Sequence, residues 1–261
     1  MKALSIAATG MDAQQTRVEV ISNNIANTNT NAYASRRAEF ADLHYQMVRG
    51  SGASSASDGS VVPQGVHLGL GVRTSAISME MTQGALRETG GDLDVAIEGK
   101  GFIEIALPSG ESGYTRDGSL KRSPTGVIVN SEGFAISGNI TIPDNARSVT
   151  INSEGEVYAF FSDQPAGQLL GAISLVSFVN AKGLEPIGDN MFRETEASGG
   201  PTVGTAGENG LGSLRQGYIE ESNVDVVEQI AELIEAQRGY ELNSKVITAA
   251  DQMMGATTQI R

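Results

Sequence analysis

Apolar residues recur every seven positions at the start of the chain: Leu4, Met11, Val18 and Ile25, with Ala7, Gln14, Ile21 and Thr28 in the neighbouring row. That spacing predicts a helix with a narrow coiled-coil seam, not the broad apolar stripe of a helix lying on a globular core. The end of the chain repeats it, with Val226, Leu233, Tyr240, Ile247 and Met254 in one row and Ile230, Gln237, Ser244, Asp251 and Thr258 in a second. The seam assigned from the two ends is Leu4, Met11, Val18, Ile21 and Ile25 with Val226, Ile230, Leu233, Tyr240, Ile247 and Met254. Ser222 followed by Asp225 reads as a capping box with a shorter acid, and Asn223 is an alternative N-cap. Each helix is weak by itself. Seams this thin leave little to offset a backbone ordering cost of roughly 1–2 kcal/mol per residue. Gly10 and Gly239 each add about 1 kcal/mol of helix penalty. The helices are expected to pair with each other or with helices of other copies.

The pattern between them is different. Of the 32 glycines, Gly10 alone precedes residue 50. Residues 50–60, GSGASSASDGS, are a low-complexity loop by composition. Val66, Leu68, Leu70 and Val72 then alternate with small or polar residues, and Ile77, Met79 and Met81 continue the period of two expected of strands. From residue 91 onward, short apolar runs alternate with Gly, Pro, Asn and Asp, as in an all-β domain. Asn-Ser-Glu-Gly occurs twice there, at 130–133 and 152–155, each time between β-rich runs. Both read as hairpin turns in which Gly supplies the positive φ.

The first helical pattern runs into ISNNIANTNTNAY at 21–33. Asn and Thr compete for backbone hydrogen bonds and tolerate left-handed geometry, so the block reads as a helix stop and turn. Asn23, Asn24 and Asn27 lie off the apolar row, where their amides are available to neighbouring chains.

Composition narrows the chemistry. The net charge is −13, which argues against nucleic acid or an anionic membrane surface as partner. The ends differ: residues 1–50 hold five basic and four acidic residues, net +1, and residues 220–261 hold three and eight, net −5. Without cysteine there is no disulfide framework, thiolate nucleophile or thiolate metal site. The first residues have no continuous apolar stretch of a cleavable signal, and the longest apolar-leaning run, 169–179, is too short to span a bilayer. Asp92 and Asp94 flank Leu93 with no third ligand nearby and read as a solvated strand edge. Gly99-Lys100-Gly101 lacks the spacing and helix of a phosphate loop. Arg36-Arg37 reads as a solvated charge pair, and His44 and His67 have no nucleophile or metal partner at motif spacing. No cofactor, metal site or catalytic constellation is expected. A hydrolase-type β domain on a helical stalk or an adhesin-like filament would be the competing readings; the first requires clustered acids or a nucleophile within the β region.

Three long segments carry a resemblance. GMDAQQTRVEVISNNIANTNTNAYASRRAEFADLHYQ (10–46), GGDLDVAIEGKGFIEIALPSGESGYTRDGSL (90–120) and QGYIEESNVDVVEQIAELIEAQRGYELNSKVITAADQMM (216–254) resemble, in that order, the N-terminal, early β-domain and C-terminal signatures of bacterial flagellar rod and hook proteins. The matching motif positions are Asn23, Asn24, Asn27, Asn29 and Thr30 at one end and Ser222, Asn223, Val224, Gln237, Arg238, Tyr240 and Glu241 at the other. The sequence departs from the family where Ala32 stands for the usual Gly and where Gly239 stands for the usual Ala.

The resemblance implies an α+β chain in three parts: a terminal coiled-coil domain from 1–30 with 224–261, an extended or β-hairpin linker from 31–90 with 210–223, and an inserted all-β domain over 91–209. It implies a structural subunit, not an enzyme, that stacks with copies of itself into a helical, hollow shaft crossing the periplasm. Such a shaft transmits torque and encloses an export channel. The terminal helices would form the inner tube, and ISNNIANTNT the joint between tube and outer shell. Residues 46–65 sit where distal-rod subunits carry an insertion that hook subunits lack; a proximal-rod subunit is the alternative, and a hook-type subunit a more distant one. Implied partners are proximal-rod and hook proteins at the two ends, the surrounding outer-membrane and peptidoglycan rings, and the flagellar type III export apparatus, which would export the chain without a cleaved signal.

Overall fold

A computed structural model describes residues 2–50, 64–162 and 164–259. The chain divides into two compact units. One consists of residues 1–26, 36–78 and 225–261, the other of 27–35 and 79–224. The segment expected as a linker is shared between them: the described residues of 36–78 fall in the unit with the helices, whereas 31–35, 79–90 and 210–223 fall in the unit with the β region.

The first unit is built on helices α1 (Lys2–Ala26) and α2 (Val226–Gln259). They pack antiparallel, as successive contacts show: Gly10 with Asn243, Gln14 with Gly239, Arg17 with Glu235 and Asn24 with Gln229. Strand Arg36–Asp42 packs against α1 and pairs with strand Val72–Met79. Strand Tyr45–Arg49 pairs antiparallel with Val66–Gly69, and Tyr45, Met47, Val48, Val66 and Leu68 on this ribbon are exposed. The ribbon lies at the two ends of the expected insertion; residues 51–63 of that insertion fall outside the described residues.

The second unit is β, as the alternation of apolar runs and turn residues predicts. Among the described residues, six antiparallel strands form one sheet in the order Glu185–Gly188, Met191–Arg193, Ser112–Thr115, Phe102–Ala106, Leu175–Ser177, Thr202–Gly204. Ala146–Ile151, Glu156–Phe161 and Gln164–Ala172 form a three-stranded meander. The main core gathers Val95, Ile97, Ile103, Ile128, Val157 and Leu175, all fully buried. A second cluster is aromatic. Phe102 meets the edges of Phe178 and Phe192 at 5.9 Å, and Tyr114 meets Phe178 at 4.8 Å, the T-shaped geometry that the ring quadrupole favours. Burial, reinforced by nearby Glu194 and Glu104, raises the Tyr114 phenol above its ordinary pKa.

The two Asn-Ser-Glu-Gly motifs fold alike. Asn130 Oδ1 accepts from the N–H groups of Glu132 and Phe134, and Asn152 Oδ1 from those of Glu154 and Glu156. Gly133 and Gly155 close the two turns at φ +89° and +92°, a region in which a Cβ would be strained.

Candidate functional site

The two helices pack against each other, but α2 does not do so on the two rows that apolar spacing selects. On α1, Ala7 and Ile21 of the expected rows are buried and Leu4, Met11, Gln14, Val18 and Ile25 are half-buried, while Ala13, Val20 and Asn24, outside those rows, are buried as well. On α2, Val226, Leu233 and Ile247 also lie in the protected row. Its companion is Gln229, Ala236, Asn243 and Ala250, three residues on, not the row of Ile230, four residues on. Ala236 and Ala250 are buried, whereas Ile230 is 46% exposed. Tyr240 and Met254 are exposed as well. The inward row is made of small and amide side chains, which a hydrophobic count passes over, so the apolar Ile230 draws the assignment to the wrong flank.

Small residues are there because the helices approach closely. A Cβ on Gly10 would lie 2.9 Å from Asn243 Nδ2, and one on Gly239 would lie 3.1 Å from Gln14 Cδ. Each helix thus offers a glycine and, four residues further on, an amide that covers the partner's glycine. The helix penalty of the two glycines is the counterpart of this contact. The fit carries a cost: Gln14 Oε1 is out of solvent with no hydrogen-bond partner among the described residues. Arg17 on α1 faces Glu235 at 3.3 Å and Glu232 at 3.9 Å on α2. Partly exposed ion pairs of this kind add only about 0.2–1 kcal/mol.

The cap of α2 is Asp225. Its Oδ1 accepts from the N–H groups of Val227 and Glu228 at 2.9 and 3.2 Å, satisfying two of the first-turn donors that have no intrahelical partner. Neither Ser222 nor Asn223 caps the helix. Ser222 accepts from Val224 N–H. Asn223 Nδ2 donates to the carbonyls of Glu80 and Thr82 and to Thr82 Oγ1, while its Oδ1 accepts from Ser35 N–H at 2.7 Å. An asparagine whose amide is already committed to two backbone segments, at Ser35 and at Glu80–Thr82, is not free to cap.

The asparagine block is more than a helix stop. Asn24 is 1% exposed. Its Oδ1 accepts from Arg36 N–H at 2.9 Å, and its Nδ2 donates to Arg36 C=O at 2.8 Å and to Gln229 Oε1 at 2.9 Å. Its amide is therefore used inside its own chain, which corrects the expectation that it is available to neighbours. Ser35 and Arg36, consecutive in sequence, are gripped by Asn223 in one unit and Asn24 in the other. Asn27 accepts from Thr30 through both its carbonyl and its side chain, and Asn31 C=O accepts from Asn190 Nδ2. Asn23 and Asn29 are exposed. The left-handed position of this segment falls on no asparagine. It falls on Ala32, at φ +53°, buried, with its N–H bonded to Glu220 C=O at 2.8 Å. The family's usual Gly is thus absent where the backbone would favour it.

Of the matched C-terminal motif, Gln237, Arg238, Tyr240 and Glu241 are all exposed on α2. Gln237, Tyr240 and Glu241 line a groove of ≈ 380 Å³ together with Gln15, Val18 and Glu19 of α1. Val224 is half-buried.

The Gly99-Lys100-Gly101 loop turns its glycine carbonyls onto Arg116, whose Nη2 and Nη1 donate to them at 3.1 and 2.9 Å. Arg116 also pairs with Glu220 at 2.8 Å, the two side chains being 13% and 4% exposed. Glu220 Oε1 in turn accepts from Gly84 N–H. No signal in the sequence marks Arg116 and Glu220, 104 residues apart, as a pair; only the folded β unit brings them together. Asp94 accepts a hydrogen bond from Thr89. Asp42 accepts one from Tyr45, which is the main reason the Tyr45 phenol sits above its ordinary pKa. Among the described residues no group of three Asp, Glu or His side chains converges as a metal site, and no helix is long and apolar enough to cross a membrane.

The two ends of the chain form a helix pair with a glycine-and-amide contact, and the β unit lies between them in sequence. The family described as "Flagella basal body rod protein" matches residues 4–33, "Flagellar basal body rod FlgEFG protein C-terminal" matches 215–260, and "Flagellar hook protein FlgE/F/G D1 domain" matches 96–159. The chain belongs to the flagellar basal-body rod protein family. It is 51% identical to the flagellar basal-body rod protein FlgG of Caulobacter vibrioides, covering 100% of both chains. Identity to the FlgG of Agrobacterium fabrum is 48% over 97% of each chain. To that of Borreliella burgdorferi it is 41%, over 100% of this chain and 99% of the relative.

Proposed function

We propose that the chain is the subunit of the distal part of the flagellar rod, stacking helically with its own copies into a hollow drive shaft that links the motor to the hook. The observation that supports this most strongly is identity of 41–51% over 97–100% of the chain with proteins named FlgG. The helix pair supports it independently. Its apolar residues are divided between a thin inner seam and an exposed remainder, Val227, Ile230, Ile234, Leu242, Val246 and Met253. A helix that leaves this much apolar surface uncovered calls for neighbours, and contacts that do not close into a ring propagate as an open helix. On this reading the helix pair lies in the inner tube, the strands flanking residues 51–63 belong to the rod-type insertion, and proximal-rod and hook proteins adjoin the two ends. The surrounding rings and the export apparatus are the remaining partners.

The test is location and necessity. Electron microscopy of basal bodies carrying a tagged chain should find label between proximal rod and hook, and removing the chain should leave basal bodies that stop at the proximal rod. Label confined to the motor-proximal end would favour the proximal-rod reading.

A further inference from the structure

The sequence contains a single Asn-Gly step, Asn209–Gly210, in the loop between strands Thr202–Gly204 and Ser213–Gln216. The two residues are the centre of a tight turn. Leu211 N–H closes it on Glu208 C=O at 2.8 Å, and Asn209 and Gly210 take positive φ, +52° and +81°, for which Asn-Gly is the favoured pair. Turn chemistry accounts for the residue types but not for how little holds them. Glu208, Asn209 and Gly210 are exposed. Among the described residues the Asn209 side chain makes no hydrogen bond and the Gly210 N–H has no acceptor. A Cβ on Gly210 would meet nothing within 4 Å. The other asparagines between residues 91 and 224 are held or crowded. Asn130 and Asn152 each have Oδ1 bonded to two backbone N–H groups. Asn180, Asn190 and Asn223 donate Nδ2 to backbone carbonyls. Asn139 and Asn145 precede Ile140 and Ala146, whose Cβ shields the backbone nitrogen.

We propose that Asn209–Gly210 is a site of spontaneous, age-dependent modification, in which Asn209 loses its side-chain amide and the backbone rearranges to isoaspartate. The backbone nitrogen of Gly210, deprotonated, attacks Asn209 Cγ. A C–N bond forms, the Cγ–Nδ2 bond breaks, and ammonia leaves with the proton that Gly210 gave up. Solvent water then opens the five-membered imide, at one carbonyl to aspartate and at the other to isoaspartate. Glycine permits the attack because it puts no Cβ beside the nitrogen and leaves its backbone free to approach Cγ. The turn has to open first, and exposed segments with few buried contacts open at little cost. The isoaspartyl product lengthens the backbone by one carbon within the turn and adds a carboxylate beside Glu208. Leu211, next in the chain, belongs to the main core, and Gly212 N–H is bonded to Lys100 C=O at 2.7 Å, so the altered turn is tied directly to the β core. The inference does not depend on the rod reading. On that reading, a subunit that stays in place accumulates the modification with time.

The test uses the purified full chain, held at physiological temperature in neutral and in mildly alkaline buffer. One sample is folded and a parallel one is unfolded in guanidinium chloride. Peptide mass mapping follows each asparagine, and labelling by an isoaspartyl methyltransferase reports the rearranged product. In the folded chain Asn209 should lose its amide ahead of every other asparagine, and faster in the alkaline buffer because the attacking nitrogen must be deprotonated. Isoelectric focusing should show a shift of one charge toward the acidic side. Asn209→Gln should abolish both the shift and the labelling, since the six-membered ring that glutamine forms closes far more slowly. The wild-type time course decides the matter even where a variant folds poorly. An Asn209 amide that the folded chain retains over the period in which the unfolded chain loses it, or loss that begins at another asparagine, overturns the proposal.

Discussion

Asn24 grips Arg36 by both halves of its backbone, accepting from the N–H at 2.9 Å and donating to the C=O at 2.8 Å. The side-chain amide acts as a substitute peptide group, pairing with a residue at the start of a strand just as a neighbouring strand would. Because Asn24 is also bonded to Gln229, one amide ties α1, α2 and the first strand together. Asn24→Ala leaves both backbone groups of Arg36 and the Gln229 carbonyl without that partner. Each buried group left unpaired costs about 1–3 kcal/mol. The variant should lose stability in the isolated chain, read by thermal unfolding, as well as assembly. Loss of assembly with unchanged unfolding would count against this clamp.

The two rows of α2 can be told apart by a charge. Leu233→Asp puts a carboxylate into the protected row facing α1, where an unpaired buried charge costs several kcal/mol. Ile230→Asp places the same charge on an exposed flank. In the isolated chain the first should abolish amide-exchange protection in α1 and α2, and the second should leave it nearly unchanged. Equal effects would restore the row that apolar spacing selects.

Ala32 occupies left-handed backbone that costs a residue with a Cβ about 1–2 kcal/mol. Ala32→Gly removes that cost but gives up the burial of one methyl and adds unfolded-chain entropy. The net expectation is a gain of up to about 1 kcal/mol, a rise of about 2–4 °C in Tm for a chain of this size, measured by calorimetry. A fall in Tm would mean that the methyl contact outweighs the backbone.

Arg116 and Glu220 satisfy each other while also holding the carbonyls of Gly99 and Gly101 and the N–H of Gly84. Glu220→Ala strands a guanidinium that is 13% exposed and should destabilise the β unit by about 3–5 kcal/mol. Arg116→Met with Glu220→Leu removes both charges and should cost less than the single change. A double-mutant cycle in urea checks this, and additive losses would contradict it.

The phenol of Tyr114 provides a pH signature. Its pKa is raised in the folded chain, chiefly by burial. A raised folded value means that the contribution to stability is intact below the unfolded pKa of about 10 and is lost as pH climbs from there through the folded value. Tyr114→Phe should flatten the alkaline loss of stability above about pH 10 in denaturant titrations at a series of pH values.

Much of this architecture is legible in the residue pattern, for local reasons. Heptad spacing is a property of one helix face, so Leu4 to Ile25 and Val226 to Ile247 reveal two helices wherever they dock. Asn-Ser-Glu-Gly is a turn because an asparagine carbonyl reaches its own backbone N–H groups two and four residues on and glycine accepts positive φ; no distant residue is needed. The long matched motifs carry the family for the same reason, being contiguous. What the pattern could not supply is any choice among partners. Ile230 and Gln229 are equally good neighbours of Leu233 along the sequence. The close approach of α1, with Gly10 under Asn243 and Gly239 under Gln14, admits the small and amide row and turns Ile230 outward. Asn223 has the chemistry of a helix cap, yet Ser35, Glu80 and Thr82 converge on it in the folded β unit and leave the cap to Asp225. Arg116 and Glu220, 104 residues apart, are invisible as a pair until the β unit folds. Sequence by itself determined the elements and their kind, since these follow from backbone sterics and periodicity; tertiary structure decided which side chains meet, because a buried donor or acceptor takes whichever partner the packing brings within reach.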